Sequence, residues 1–302
     1  MKNEALVSVI IPCYNAEKYI EAALMSILQQ SYHHLEVIVI NDGSTDKSEE
    51  ILLQFAQQDL RVRYIENEKN LGLIATLNKG IQLAQGKYIA RMDADDIALP
   101  DRIEKQVDFL SIHPNIAVLG GAMKTFGENV QSEILALPTE DNEIKAYLFL
   151  ASAFNHPTVM FNLSVLDRDD IFYQQQYYRA EDYGLWIHLL AKGYQFANLK
   201  DVVLNYRILE NSETRLSAKN LEQRNQIISK IHYYLLTHLK LSLTDNEILQ
   251  YSLSTNRANI AQLNLMMLCH IYRKISRTVS YPVGKLLFTR WIKLLGLKWM
   301  RK

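Results

Sequence analysis

Short apolar runs alternate with stretches of helical spacing over the first part of the chain. Val7-Ser8-Val9-Ile10-Ile11 is strand-like and is broken by Pro12. Helical spacing follows from about Ala16 to Gln30, with Tyr19, Ile20, Ala23, Leu24 and Ile27 on one side. Glu36 to Ile40 predicts a second strand, after which Ser44 or Thr45 caps a helix through Ile51, Leu52 and Phe55. Further strands are predicted at Val62 to Ile65, Tyr88 to Met92 and Ile116 to Leu119, with helices over Leu73 to Ala84, ended by Gly86, and Pro100 to Leu110. Continuous apolar strands alternating with amphipathic helices predict an α/β fold, with a mostly parallel central sheet and helices on both faces.

Beyond Gly121 the pattern loosens. Thr158 to Phe161 reads as a strand after Asn155-His156-Pro157, and Arg179 to Tyr183 opens a helix through Trp186, Ile187, Leu189 and Leu190 that Gly193 closes. Tyr194 to Leu199 and Val202 to Tyr206 predict two more strands. After Ser217 helical spacing continues without strands. The expected organisation is an α/β domain over residues 1–215 and a helical C-terminal region over 216–302.

At 48% hydrophobic and 22% charged positions the chain has the composition of an ordinary folded protein. Cys13 and Cys269 lie far apart without metal-ligand spacing, which fits a reducing compartment. The N-terminus reaches a strand with no basic start and long apolar run, which argues against a secretory signal. Charge changes the picture more. The formal net charge is zero, yet no Asp or Glu follows Glu247, whereas ten Lys or Arg do. Taking those ten from the total of 33 leaves 23 basic against 33 acidic groups in the first 247 residues. An acidic body with a basic tail points the tail towards an anionic surface. Within the tail Phe288, Trp291, Ile292, Leu295 and Trp299 share one helical face, with Arg290, Lys293 and Arg301 opposite. That is the pattern of a basic amphipathic helix lying in a membrane interface; the competing reading packs this face on the α/β domain. No stretch reaches the roughly 20 apolar residues of a spanning helix.

Ligands in parallel sheets bind beyond the carboxyl ends of the strands. The polar segments Pro12 to Asn15, Asn41 to Asp46, Asn67 to Gly72 and Asp93 to Asp96 all fall there. Asp93, Asp95 and Asp96 crowd three carboxylates into four residues, which cannot all ionise cheaply without water, a cation or basic groups. A divalent cation takes oxygen ligands and leaves positions open for substrate phosphates. The alternative is that Asp95 or Asp96 caps the helix near Leu99-Pro100. Asp42 serves either as a turn residue or as an acceptor for a nucleobase N–H. Tyr14 can lie against a base face.

Taken in order, Pro12-Cys13-Tyr14-Asn15-Ala16-Glu17, Asn41-Asp42-Gly43-Ser44-Thr45-Asp46, Asn70-Leu71-Gly72, Met92-Asp93-Ala94-Asp95-Asp96 and Glu181-Asp182 resemble the family 2 inverting glycosyltransferases over the first 210 residues. The resemblance implies the GT-A nucleotide-diphospho-sugar transferase fold with a C-terminal helical extension. It implies that Pro12, Tyr14 and Asn15 line the base and ribose pocket with Glu17 nearby, that Asp42 binds the base, and that Asn70 closes the nucleotide pocket. Asp93 then touches the ribose, Asp95 binds a Mn or Mg ion, and Asp96 supports sugar or metal. Asp182 is implied as the catalytic base, with Glu181 beside it binding acceptor or donor sugar. Relatives often carry Arg where this chain has Leu77 before Asn78, and Arg91 is expected to supply the missing positive charge. His156 is a weaker candidate for shaping the acceptor pocket, and Arg207 for holding the diphosphate.

The implied donor is a UDP-sugar, and the implied acceptor a glycan or lipid-linked sugar in bacterial surface-polysaccharide assembly. The expected place is the cytoplasm, peripheral to the inner face of the membrane, with no nucleic acid as partner. A nucleotidyltransferase of related fold expects a Gly-rich, basic loop after the first strand, and Pro12 to Glu17 contains neither Gly nor Arg. A catalytically inert, membrane-docked nucleotide-sugar binding module is the alternative from another class, against which Asp42, Asp95 and Asp182 speak.

Overall fold

The computed structural model describes residues 5–128, 130–209, 220–279 and 282–299. Two compact units divide the chain. The first comprises Met1–Thr139, Phe154–Tyr173 and Tyr194–Glu210, and the second Glu140–Ala153, Gln174–Gly193 and Asn211–Lys302. The boundary expected at residue 215 lies outside the described residues, as do Arg301 and the side chain of Trp299.

The first unit begins with β1 (Val7–Cys13), α1 (Ile20–Leu28), β2 (Leu35–Asn41), α2 (Ser48–Gln58), β3 (Val62–Glu66), α3 (Leu73–Leu83) and β4 (Tyr88–Arg91). It continues with β5 (Ile97–Ala98), α4 (Arg102–Ile112), β6 (Ile116–Phe126), β7 (Ile134–Leu135), β8 (Met160–Asn162) and β9 (Gln195–Arg207). The strands form one sheet in the order β3-β2-β1-β4-β8-β6-β9-β5, with β7 paired to β6. Pairing is parallel from β3 through β4, the half that the alternating pattern predicts. Beyond β4 the sheet is mixed: β8 runs antiparallel to β4 and β6, and β9 is parallel to β6. Every residue of β1 and β2 is buried, as strands covered on both faces require. Ile20, Ala23, Leu24 and Ile27 of α1 join them in the core.

Two local expectations are corrected. The strands expected at Tyr194 to Leu199 and Val202 to Tyr206 are one strand of 13 residues, β9, whose register against β6 shifts midway. Neither Ser44 nor Thr45 caps α2. Asp46 Oδ1 accepts from Ser48 N–H at 2.9 Å, while Ser44 and Thr45 bond to Asn15.

The second unit holds α5 (Asp141–Tyr147), α6 (Glu181–Ala191), α7 (Leu221–His238), α8 (Asp245–Ser254), α9 (Leu265–Thr278) and α10 (Val283–Trp299). A buried polar chain ties these helices together. Tyr183 Oη donates to Leu148 O at 2.6 Å and shares a 2.9 Å hydrogen bond with His232 Nε2, whose Nδ1 meets Ser252 Oγ at 2.9 Å. The Tyr251 ring packs edge-on against His232, and its hydroxyl donates to Phe149 O. Such a network stabilises only while each member is satisfied. In α10, Val283, Leu287 and Leu294 are buried, whereas Phe288, Ile292 and Leu295 stay exposed. The face of α10 that packs within the unit is thus not the one the sequence pattern marks as apolar.

Burial holds the His232 imidazole down to about 3, far below its ordinary value. A base depressed in this way binds fewer protons folded than unfolded, so its contribution to stability is complete above about pH 6.5 and is lost as pH falls towards 3. At pH 5 the loss from this residue is about 2 kcal/mol. Urea unfolding at pH 7.5 and pH 5 should show wild type losing more stability on acidification than His232→Gln, although the variant starts lower. Equal acid losses would remove His232 as a cause.

Candidate nucleotide and metal site

Because β1, β2, β3 and β4 run parallel, the loops that follow them share one edge of the sheet. Hydrogen bonds stitch those loops together. Asn15, in the left-handed region at φ 49°, accepts from Thr45 N–H on Oδ1 at 2.8 Å and donates its backbone N–H to Ser44 Oγ at 3.1 Å. Glu17 Oε2 accepts from Lys47 N–H at 3.0 Å, and Glu17 N–H donates to Asp46 Oδ2 at 3.0 Å. Asn15 and Glu17 therefore latch the β1 loop to the β2 loop. Pro12 does not break β1 as expected but lies buried within it, paired with Ile40, the strand running on to Cys13, and Tyr14 stands half exposed beside the latch.

Asp42 is the next anchor. Its buried carboxylate accepts from Asn67 Nδ2 at 2.8 Å, Leu71 N–H at 2.9 Å and Gly72 N–H at 2.9 Å. It holds the β3 loop against the β2 loop, and Asn70 lies within that held segment. Gly43 shows how close the two loops come. Its φ is +67°, and a Cβ there would lie 2.6 Å from Asn70 N. Two residues of α3 that sequence reasoning did not single out, Thr76 and Lys79, complete this corner. Asn67 Nδ2 donates to Thr76 Oγ1 at 3.1 Å, and Lys79 Nζ donates to Asn67 Oδ1 at 2.7 Å.

The acidic loop follows β4. Arg91 is buried and grips Asp93 with both terminal nitrogens, Nη1 to Oδ2 at 2.9 Å and Nη2 to Oδ1. Arg102, fully buried on α4, donates from Nη2 to Arg91 O at 2.7 Å. Arg207, the last residue of β9, donates its backbone N–H to Asp96 Oδ1 at 2.8 Å and its Nε to Asp95 O at 2.8 Å. Its guanidinium lies 4.7 Å from the Tyr19 ring centroid and 4.4 Å from that of Phe126. Asp96 is thus bound to β9, and α4 begins after Asp101 without a side-chain cap, so neither Asp95 nor Asp96 caps that helix. Leu77 is buried, and Asn78 brackets Tyr173 through two 2.9 Å bonds. Tyr173 Oη meets His156 Nε2 at 2.7 Å, and burial, then the charge of Arg91, lowers the basicity of His156.

Burial, then Asp93, raises the Asp95 carboxyl well above its ordinary range, and burial, then Asp93 and Asp95, raises Asp96 further. Asp96 Oδ2 is buried without a hydrogen-bond partner. An all-oxygen donor set with one buried carboxylate oxygen unspent fits a divalent cation, which would relieve the crowding. Among the described residues no three His, Cys, Asp or Glu stand so as to hold an ion by themselves.

Glu181 and Asp182 belong to the second unit, in the first turn of α6. A carboxylate is electrostatically favoured there. Ser152 Oγ donates to Asp182 Oδ2 at 3.0 Å, and Tyr183, the next residue, anchors the helix through the buried polar chain.

A half-parallel sheet with four polar loops at one edge, the first three stitched together and the fourth rich in carboxylates, is the arrangement of a nucleotide-diphospho-sugar transferase domain of GT-A type. Comparisons with known proteins agree. The profile of glycosyl transferase family 2 matches residues 8–171. An uncharacterized glycosyltransferase of Haemophilus influenzae is 35% identical over 251 residues, 78% of this chain and 76% of its own. The amylovoran biosynthesis glycosyltransferase AmsE of Erwinia amylovora is 34% identical, over 66% of this chain and 75% of its own. Among solved structures, S. aureus TarS 1–349 in complex with UDP-GlcNAc superposes with a TM-score of 0.60 at 19% identity, covering 95% of this chain and 88% of that one. Mannosyltransferase PcManGT of Pyrobaculum calidifontis, in complex with GDP-Man and Mn2+, gives 0.59 at 18%, covering 98% and 87%. The chain belongs to glycosyl transferase family 2.

Removing Arg91 leaves the Asp93 carboxylate without its bracket. Arg91→Ala should lower stability by about 3 kcal/mol in urea unfolding, and should weaken UDP binding measured by calorimetry with Mn. Unchanged affinity would confine Arg91 to a structural role.

Proposed function

We propose that this glycosyltransferase moves a hexose or N-acetylhexosamine from a UDP-sugar to a glycan or lipid-linked acceptor, with inversion at the anomeric carbon. The observation that carries the reading is the acidic loop after β4, where Asp96 Oδ2 is buried and unbonded beside Asp95 and the bracketed Asp93. The stitched loops after β1, β2 and β3 supply the nucleotide side. A carboxylate has about four lone-pair sites, and Asp42 spends three on the loop after β3, leaving capacity for a uracil N–H. Pro12, Tyr14 and Asn15 line the base and ribose, with Glu17 keeping that loop in place and Asn70 closing the pocket. Asp93, fixed by Arg91, meets the ribose. Asp95 holds a Mn or Mg ion, and Asp96 supports it.

A bound divalent ion supplies positive charge to the departing diphosphate oxygens. In the reaction the acceptor hydroxyl oxygen bonds to the anomeric carbon as the bond from that carbon to the diphosphate oxygen breaks. The hydroxyl proton passes to Asp182, the base on the opposite side of the sugar. Glu181 binds a sugar hydroxyl. Two considerations support the setting: the relatives include an amylovoran biosynthesis enzyme, and the basic C-terminal region suits work at the inner face of the cytoplasmic membrane.

The deciding measurements are UDP release from a panel of UDP-sugars with Mn, and UDP binding by calorimetry. Asp95→Ala should abolish the metal-dependent part of binding. Asp182→Asn should bind UDP as wild type does and lose turnover by roughly a hundredfold or more. Normal turnover by Asp182→Asn would remove that residue from the mechanism, and UDP release that ignores Mn would remove the ion.

A further inference from the structure

The packing of α10 leaves its most apolar stripe outside. Phe288, Ile292 and Leu295 are spaced to share one side of the helix, and they are 60%, 49% and 37% exposed. What anchors α10 is chiefly a different side. Val283, Leu287 and Leu294 are buried there. Arg290 turns inward and donates to Ser254 O from Nε at 2.9 Å and Nη2 at 2.7 Å. Of the marked face Trp291 is tied down, its Nε1 donating to Leu265 O at 2.9 Å, while Phe288, Ile292 and Leu295 remain exposed.

Its surroundings are rich in basic groups. Lys285 and Lys293 are exposed on α10. Met266, 85% exposed, shares one outward face of α9 with His270, Arg273 and Arg277 at the same helical spacing. No acidic residue follows Glu247 in the chain, and Glu247 itself, on α8, lies within electrostatic reach of His270 and Lys274. Symmetric pairing with a second copy would set basic residues against basic residues. An anionic lipid surface complements both features at once, since apolar side chains enter the interface while lysines and arginines meet the headgroups. No helix among the described residues is long and apolar enough to cross a membrane, so such contact lies along the surface.

We propose that Phe288, Ile292 and Leu295 of α10, with the basic residues around them, form the face that docks this enzyme on an anionic bilayer. The inference rests on the functional reading above only in placing the reaction at a membrane.

The test uses the full chain with vesicles of phosphatidylcholine alone or mixed with phosphatidylglycerol, read by co-sedimentation. The chain is expected to sediment with the phosphatidylglycerol vesicles and to be released by raised salt. The double variant Phe288→Asp, Ile292→Asp should lower the partition constant by roughly tenfold or more. Lys285→Gln with Lys293→Gln should lower it by a similar roughly tenfold factor. Thermal melts and UDP-sugar hydrolysis of both variants should match wild type. The proposal is overturned if wild type stays in the supernatant with anionic vesicles, or if the Asp variant sediments as wild type does. It is equally overturned if the stripe covers a second copy, seen as a dimer that the Asp variant splits. Failure of the glycosyltransferase reading would show separately, as absent hydrolysis with vesicle binding intact.

Discussion

Three carboxylates within four residues at the end of β4 are the constraint from which much else follows. Left together and partly buried they repel one another, and burial alone disfavours their charged forms. The structure meets that cost with cations from three separate elements: Arg91 on both oxygens of Asp93, Arg207 on Asp95 and Asp96, and Arg102 behind the Arg91 carbonyl. One oxygen, Asp96 Oδ2, is left unspent. The long strand β9 matters because it delivers Arg207 to this loop. Its neighbours Tyr19 and Phe126 then hold the guanidinium flat between two rings.

The same economy of partners governs the other loops. Asp42 does not wait open for a ligand; it organises the loop that would close over one, and Gly43 allows the approach that makes this possible. In the second unit, Asp182 sits where a helix favours a negative charge, on a helix whose next residue joins the chain from Tyr183 through His232 to Ser252. Both units thus carry these carboxylates on backbone held by buried polar contacts, which fixes direction better than apolar packing alone.

Much of the first unit was legible because parallel strands buried on both faces leave an unmistakable apolar run, and parallel order forces their loops to one edge. The acidic loop and Asp42 were placed that way, whereas the helix bearing Asp182, in the second unit, was read from helical spacing and its role from the resemblance. Capping failed as a guide. Ser44, Thr45 and Asp96 are all good caps by local chemistry, yet each found a partner on another segment, Asn15 or Arg207. Arg91, expected to supply positive charge beside the acidic cluster, is buried and grips Asp93.

Periodicity and strand-end polarity, both local properties, determined by themselves that this chain forms an α/β domain with its acidic groups at the sheet edge, while the nucleotide-sugar reading came from the resemblance of its motif set to a known family. Only the tertiary structure decided which group satisfies which, because the deciding pairs are remote: 30 residues separate Asn15 from Thr45, and 111 separate Asp96 from Arg207. It also decided the fate of α10. The sequence marks Phe288, Ile292 and Leu295 as an apolar face, but whether a face is covered depends on what packs beside it. Here Val283, Leu287 and Leu294 took the interior, and the marked face was left to meet something else.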